Sequence, residues 1–168
     1  MAAPFAPDAV DRALAVALAE DGRAPYADLA AVTVTGPDSA RRRVGRMPAG
    51  RVLTARCEIA RSLSEWPVAM TLWVRVASGD MAKITPIVSG MREVRLCVGV
   101  SGRYNLMITA WIRSVGDAQR FEARLAERLP GILIGDRATV LQPMKLMGHL
   151  LDHRGHRIGT VPVNPWSS

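Results

Sequence analysis

The sequence predicts an α+β chain in two parts: an N-terminal helix-turn-helix (winged-helix-like) unit, then a ferredoxin-like βαββαβ domain. Three observations carry this. Short runs of helical periodicity fill the first fifty residues. Two alternating stretches flank a Gly-containing connection at residue 102. Helix and strand patterns then follow one another in the order β-α-β-β-α-β. A chain of 168 residues has room for one ordinary domain or two small ones.

The first helix is expected from Asp8, with Val10, Leu14, Ala17 and Leu18 on one face and Gly22 placed to stop it. Pro25 precedes a second short helix bearing Leu29 and Ala30. Residues 33–37 read as a turn. Pro37, Asp38 and Ser39 open a third helix through Arg46 and Met47, which Pro48 and Gly50 end. Residues 51–60 suggest a wing or linking strand.

Charge is concentrated on that third helix and just beyond it. Seven arginines stand against Asp38 and Glu58 between residues 38 and 61, within a chain of net charge +7. Arginine donates two parallel hydrogen bonds from a planar fork and stays ionised at any relevant pH, which suits phosphate. Arginines on the third helix of a three-helix unit point to DNA.

The C-terminal two thirds are organised around the hairpin of residues 93–113. On its first limb Val94, Leu96, Val98 and Val100 alternate with Arg95, Cys97 and Gly99. On its second, Leu106, Ile108, Ala110 and Ile112 alternate with Met107, Thr109, Trp111 and Arg113. Before it come a strand over 69–76 and a helix from Asp80 bearing Met81, Ile84, Ile87, Val88 and Met91, with a kink or late start expected at Pro86. After it come a helix marked by Ala118, Phe121, Leu125 and Leu129, and a strand over 137–142. Both helices fall on one face of such a sheet. The other face carries apolar residues, so a second copy is expected to cover it. The domains are drawn at 1–61 and 62–151, with 152–168 as a C-terminal tail.

Other classes find little support. Cys57 and Cys97 are far apart and read as reduced, buried thiols of a cytoplasmic protein. No apolar run approaches the roughly 18 residues of a membrane span, and the N-terminus lacks the order of a signal peptide. His149, Asp152, His153 and His156 lie in the expected tail and make a weak metal set. No Ser/His/Asp set, nucleotide loop or acid–base pair suggests an enzyme, and no cofactor is expected.

Taken in order, 10–14, 19–23, 28–30, the arginine helix 41–47, the hairpin 94–112, Leu129 to Ile132, Val140, Leu141 and Lys145 resemble the Lrp/AsnC family of amino-acid-responsive transcription regulators. The pattern also resembles the C-terminal half of tandem members from high-GC, actinobacterial-type sources. The resemblance implies a cytoplasmic regulator with double-stranded DNA as partner, contacted from Ser39, Arg41, Arg42, Arg43, Arg46 and Arg51. It implies an amino acid or other small-molecule effector between subunits, at Ser101, Gly102, Arg103, Tyr104, Asn105, Gly135 and Arg137. It also implies a homodimer that assembles further.

Three positions of the helix-turn-helix depart from the family pattern. Val34 stands where Gly is usual in the turn, Gly36 where Ser or Thr caps the third helix, and Ala40 where a larger apolar anchor is common. A β-branched residue disfavours positive φ, so a remodelled turn is expected at Val34. Two readings stand: a ligand-responsive DNA-binding regulator, or a sensing and assembly module whose helix-turn-helix no longer binds DNA specifically.

Overall fold

In the computed structural model, which describes residues 5–50 and 52–166, Asp8 caps α1 (Ala9–Glu20). Its Oδ1 accepts the Asp11 amide at 2.8 Å, and Asp11 Oδ2 accepts the Asp8 amide in return. This reciprocal box satisfies two amides that a helix start leaves without partners. α2 (Tyr26–Thr33) and α3 (Pro37–Arg46) follow. Leu14, Leu29, Ala30, Ala40 and Met47 from this region form one buried core. Ala40 is fully buried, and Met47 beyond the helix end joins it there.

Between α2 and α3 the chain turns without remodelling. Val34 takes the left-handed conformation, φ 52° and ψ 42°. The Thr35 amide donates to the Ala30 carbonyl at 3.0 Å and that of Val34 reaches back to Ala31, the paired closure usually built on glycine. Val34 is 95% exposed. The turn therefore keeps its usual shape with a residue that is strained in it. The wing or linking strand is not formed: residues 52–60 pair with no other strand, and a strand needs a hydrogen-bonded neighbour.

The chain divides into two units: residues up to Glu58 joined by those from Met144, and the stretch Ile59–Pro143. In the second unit β1 (Val68–Arg75), α4 (Met81–Ser89), β2 (Val94–Gly99), β3 (Leu106–Ile112), α5 (Asp117–Arg128) and β4 (Leu133–Val140) follow in the expected order. Pro86 lies inside α4. The sheet runs β2-β3-β1-β4, with antiparallel pairing between neighbours. Met70, Leu72 and Val74 of β1 and Leu106, Ile108, Ala110 and Ile112 of β3 bury one face with Ile84, Val88, Phe121 and Leu125 of the helices.

Two bulges alter what alternation predicts. The register of β2 against β3 shifts between Val94 and Leu96, after which Cys97 lies opposite Ile108. Cys97 thus packs on the core, where burial pushes its thiol pKa up, while Leu96 is turned out and 42% exposed. One extra residue in a strand exchanges its faces. The second bulge, in β4, bears on the hairpin loop described below. Cys57, expected to be buried, is exposed.

The end of the expected second domain and the expected tail carry structure of their own. β5 (Lys145–Leu146), β6 (His149–Leu151) and β7 (Arg157–Thr160) form a small antiparallel sheet belonging to the first unit. Arg157 donates to the Glu20 carbonyl at 3.2 Å, and Arg12 lies over the Trp166 ring. His149 Nδ1 sits 3.2 Å from Thr160 Oγ1 across the strands. Strands of two to four residues give a weak alternation signal, and contacts with a distant helix are invisible to it.

Candidate nucleic-acid interface and hairpin-loop site

The helical repeat of α3 sorts its arginines. Ala40 and Met47 face the core, and Arg43 lies one turn from each. Arg41 and Arg42 fall outside that stripe and are exposed. Arg41 approaches the almost fully exposed Asp38 at 3.9 Å, a contact too loose and solvated to hold it. Among the described residues, no carboxylate pairs with Arg42. Ser39 is half-buried at the start of the helix, where no side chain caps the backbone. Arg51 lies outside the described residues.

Arg43 and Arg46 are committed to carboxylates of the protein itself, Arg43 mostly buried and Arg46 about half exposed. Asp11 of α1 is 1% exposed. Arg43 Nη1 stands 2.8 Å from Asp11 Oδ1 and 2.7 Å from Asp8 Oδ2. Arg46 Nη2 meets both Asp11 oxygens, at 2.8 and 3.0 Å, and its guanidinium lies over the Phe5 ring. The hydrogen bond from Arg43, followed by that from the Asp11 amide, holds the Asp8 carboxyl below its ordinary range. A buried carboxylate is tolerated when charged donors satisfy it. The two arginines therefore fix α3 against α1, and their guanidinium forks are already engaged. The signal was present in the sequence: Asp8 and Asp11 are spaced as a capping box, and Asp11 shares a face with Leu14.

At one end of the sheet the hairpin loop gathers most of the residues expected to bind an effector. Ser101, Gly102 and Arg103 are exposed. Gly102 has φ 131°, a conformation that effectively requires glycine. Tyr104 lays its ring over Gly135, where an added Cβ would come within 2.8 Å of Cζ and 2.9 Å of the hydroxyl oxygen. Gly135 is the extra residue of the bulge in β4, since Asp136 lies opposite Trp73 and Ile134 opposite Val74. Arg103 stands over the Tyr104 ring, 5.6 Å from its centre.

Asn105 holds the loop in place. Its Oδ1 accepts from the Val76 amide at 2.9 Å and its Nδ2 donates to the Val76 carbonyl at 2.7 Å. The side chain thus pairs with the chain leaving β1 as a further strand residue would. This uses a donor and an acceptor together, which an ionised Asp could not supply. Arg137 stands apart from the loop group. It lies opposite Leu72, a core-facing residue of β1, and meets Glu122 of α5 at 3.2 Å. The carboxylate it suits is one of the protein's own.

Residues 8–47 match the family model of the AsnC-type helix-turn-helix domain. The fold is similar to E. coli AsnC, with a TM-score of 0.73 and 22% identity over 84% of this chain and 97% of that one. It is similar to a Neisseria meningitidis transcriptional regulator crystallised with L-Met, at a TM-score of 0.73 and 18% identity over 83% of this chain and 92% of that one. The leucine response regulatory protein of Mycobacterium tuberculosis gives a TM-score of 0.70 and 18% identity over 83% of this chain and 96% of that one. No curated protein matches.

Proposed function

We propose that this chain, a regulator of the Lrp/AsnC type by its helix-turn-helix and its fold, binds double-stranded DNA through the outward face of α3. The observation that carries this is the division of labour among its arginines. Arg43 and Arg46 lock α3 to α1, which leaves Arg41 and Arg42 projecting from a fixed helix. A rigid helix with two exposed guanidiniums can be set into a major groove at small entropic cost. Phosphate contacts position it, and at most one or two side chains read bases.

The effector site follows from the loop of residues 101–105 with Gly135. An exposed, glycine-permitted turn braced by Asn105 supports a small-molecule contact at a subunit boundary. That a regulator of similar fold was crystallised with L-Met supports an amino acid or related molecule. The sheet face bearing Leu96, Val98, Met107 and Trp111 supports a homodimer that assembles further, since no helix of this unit covers it and its residues are largely apolar. Ligand at the loop would shift the assembly and so the spacing of the DNA-binding units. The site for work of this kind is the cytoplasm; no helix among the described residues is long and apolar enough to cross a membrane.

The test is a salt titration of binding to DNA from upstream of the protein's own coding sequence, against scrambled DNA, with and without a pool of amino acids. Sequence-selective binding modulated by the pool is expected. Weak, unselective binding that vanishes at modest salt would reassign the chain as a sensing and assembly module that relies on another DNA-binding domain.

A further inference from the structure

At the end of the sheet opposite the hairpin loop, a cleft of about 210 Å³ opens beside α5, with Trp66, Arg92, Arg113 and Arg124 in its lining. It continues into a more open groove that reaches Gly90 and Arg128. Residues distant in sequence converge here: the turn after α4, the entry to β2, the exit of β3 and the length of α5. None belongs to the helix-turn-helix or to the loop of residues 101–105.

The charges in the cleft do not cancel. Glu93 is its most buried carboxylate, and Arg124 takes it at 2.9 Å. Asp117 is held by Arg120 and Ser114, and the Arg120 hydrogen bond lowers its pKa. Arg113 reaches Glu65 at 3.7 Å with both side chains mostly exposed, a pair that solvent largely screens. Among the described residues, no carboxylate pairs with Arg92 or Arg128. Arg92 is laid over the Trp66 ring, 5.2 Å from its centre, which steadies a guanidinium without neutralising it. Each carboxylate in the cleft thus has a cation, while Arg92 and, in the adjoining groove, Arg128 remain in excess and Arg113 is easily released.

We propose that this cleft is a second small-molecule site, specific for a compact phosphate-bearing anion of two or more negative charges. With the adjoining groove of about 460 Å³, it has room for a molecule of that size. Guanidinium forks match phosphate oxygens two by two. The cluster is distinct in place and chemistry from the loop site, where the residues are mainly glycine, tyrosine and amide. Its occupancy therefore does not depend on the loop binding anything.

The probe is inorganic pyrophosphate, titrated calorimetrically into the full chain at fixed ionic strength. Saturable binding is expected, weakened by about tenfold or more in Arg92→Gln/Arg128→Gln, a loss of about 1.4 kcal/mol. The charge-matched control Arg41→Gln/Arg42→Gln should bind pyrophosphate as the parent does. Thermal unfolding of both variants, without ligand, verifies that they fold. Arg128→Gln alone, which leaves the Trp66 stack intact, should weaken binding measurably. Absence of saturable binding to a folded parent overturns the proposal. Equal losses in the control overturn it too, because they would reflect net charge alone. A lowered affinity for DNA in Arg92→Gln/Arg128→Gln, with no pyrophosphate binding by the parent, would assign the cleft to the phosphate backbone instead.

Discussion

Arg43 of α3 and Asp11 of α1 are 32 residues apart in the chain and meet at 2.8 Å, with Asp11 almost wholly buried. Arg46 closes on the same carboxylate. This triad decides how the helix-turn-helix is read, because it engages two of the basic guanidiniums with a buried carboxylate, although the Arg46 side chain itself stays 47% exposed.

Replacing Asp11 by Asn should therefore act on stability before it acts on DNA. Two guanidiniums would lose their shared carboxylate, at a cost of about 1–3 kcal/mol, since the half-exposed Arg46 can turn to water. Urea unfolding of the variant measures it. A loss below about 0.5 kcal/mol, the range of ordinary surface changes, would show that water already satisfies the triad.

Arg41→Gln/Arg42→Gln should show the opposite pattern. Both side chains are exposed, so unfolding should shift by no more than about 0.5 kcal/mol. The slope of log affinity for DNA against log salt should fall by about 2, one unit for each arginine withdrawn from a phosphate. An unchanged slope in a folded variant would place the DNA on another surface.

Val34→Gly should stabilise the chain. A left-handed residue with a branched side chain costs about 1 kcal/mol relative to glycine, and Val34 is too exposed for packing to offset this. The greater freedom of glycine in the unfolded chain takes back part of the gain. A lower denaturation midpoint in Val34→Gly would mean that the exposed valine makes a contact worth more than its strain.

Asn105→Asp tests the loop brace. It removes the Nδ2 donor and sets a carboxylate oxygen against the Val76 carbonyl, which should cost about 1–3 kcal/mol at neutral pH. Part of that loss should return in acid, where a protonated Asp can donate again. Stability curves at two pH values separate this from a simple loss of packing.

The Asp8 carboxyl has a pKa below its ordinary value, chiefly through the hydrogen bond from Arg43. A depressed carboxylate contributes stability above its unfolded pKa and loses it as pH falls through the folded one. The difference in melting temperature between the parent and Asp8→Asn should be constant from neutral pH down to about 5, then shrink below about 4. A difference that grew in acid would contradict the assignment.

How far the sequence can be read follows from which forces are local. Leu14, Leu29 and Ala40 lie in a common core because each recurs at the helical repeat of its own segment, which the backbone imposes without reference to anything distant. The order of the six elements in the second unit is legible for the same reason. Alternation assigns Cys97 and Leu96 to the wrong faces of β2, because a bulge shifts the register at a point that alternation cannot mark. The strands within 145–160 go unread, since runs of two to four residues are too short to show a period.

The sequence by itself determined the three N-terminal helices, the βαββαβ order that follows them, and the concentration of arginine on the third helix. Only the tertiary structure decided which of those arginines are engaged by the protein's own carboxylates. It matched Arg43 and Arg46 with Asp11, Arg137 with Glu122, and Asn105 with the backbone of Val76. The physical reason is one of range. Periodicity is set by neighbours a few bonds away, whereas a charged or hydrogen-bonding side chain takes whichever partner the folded chain brings within about 3 Å.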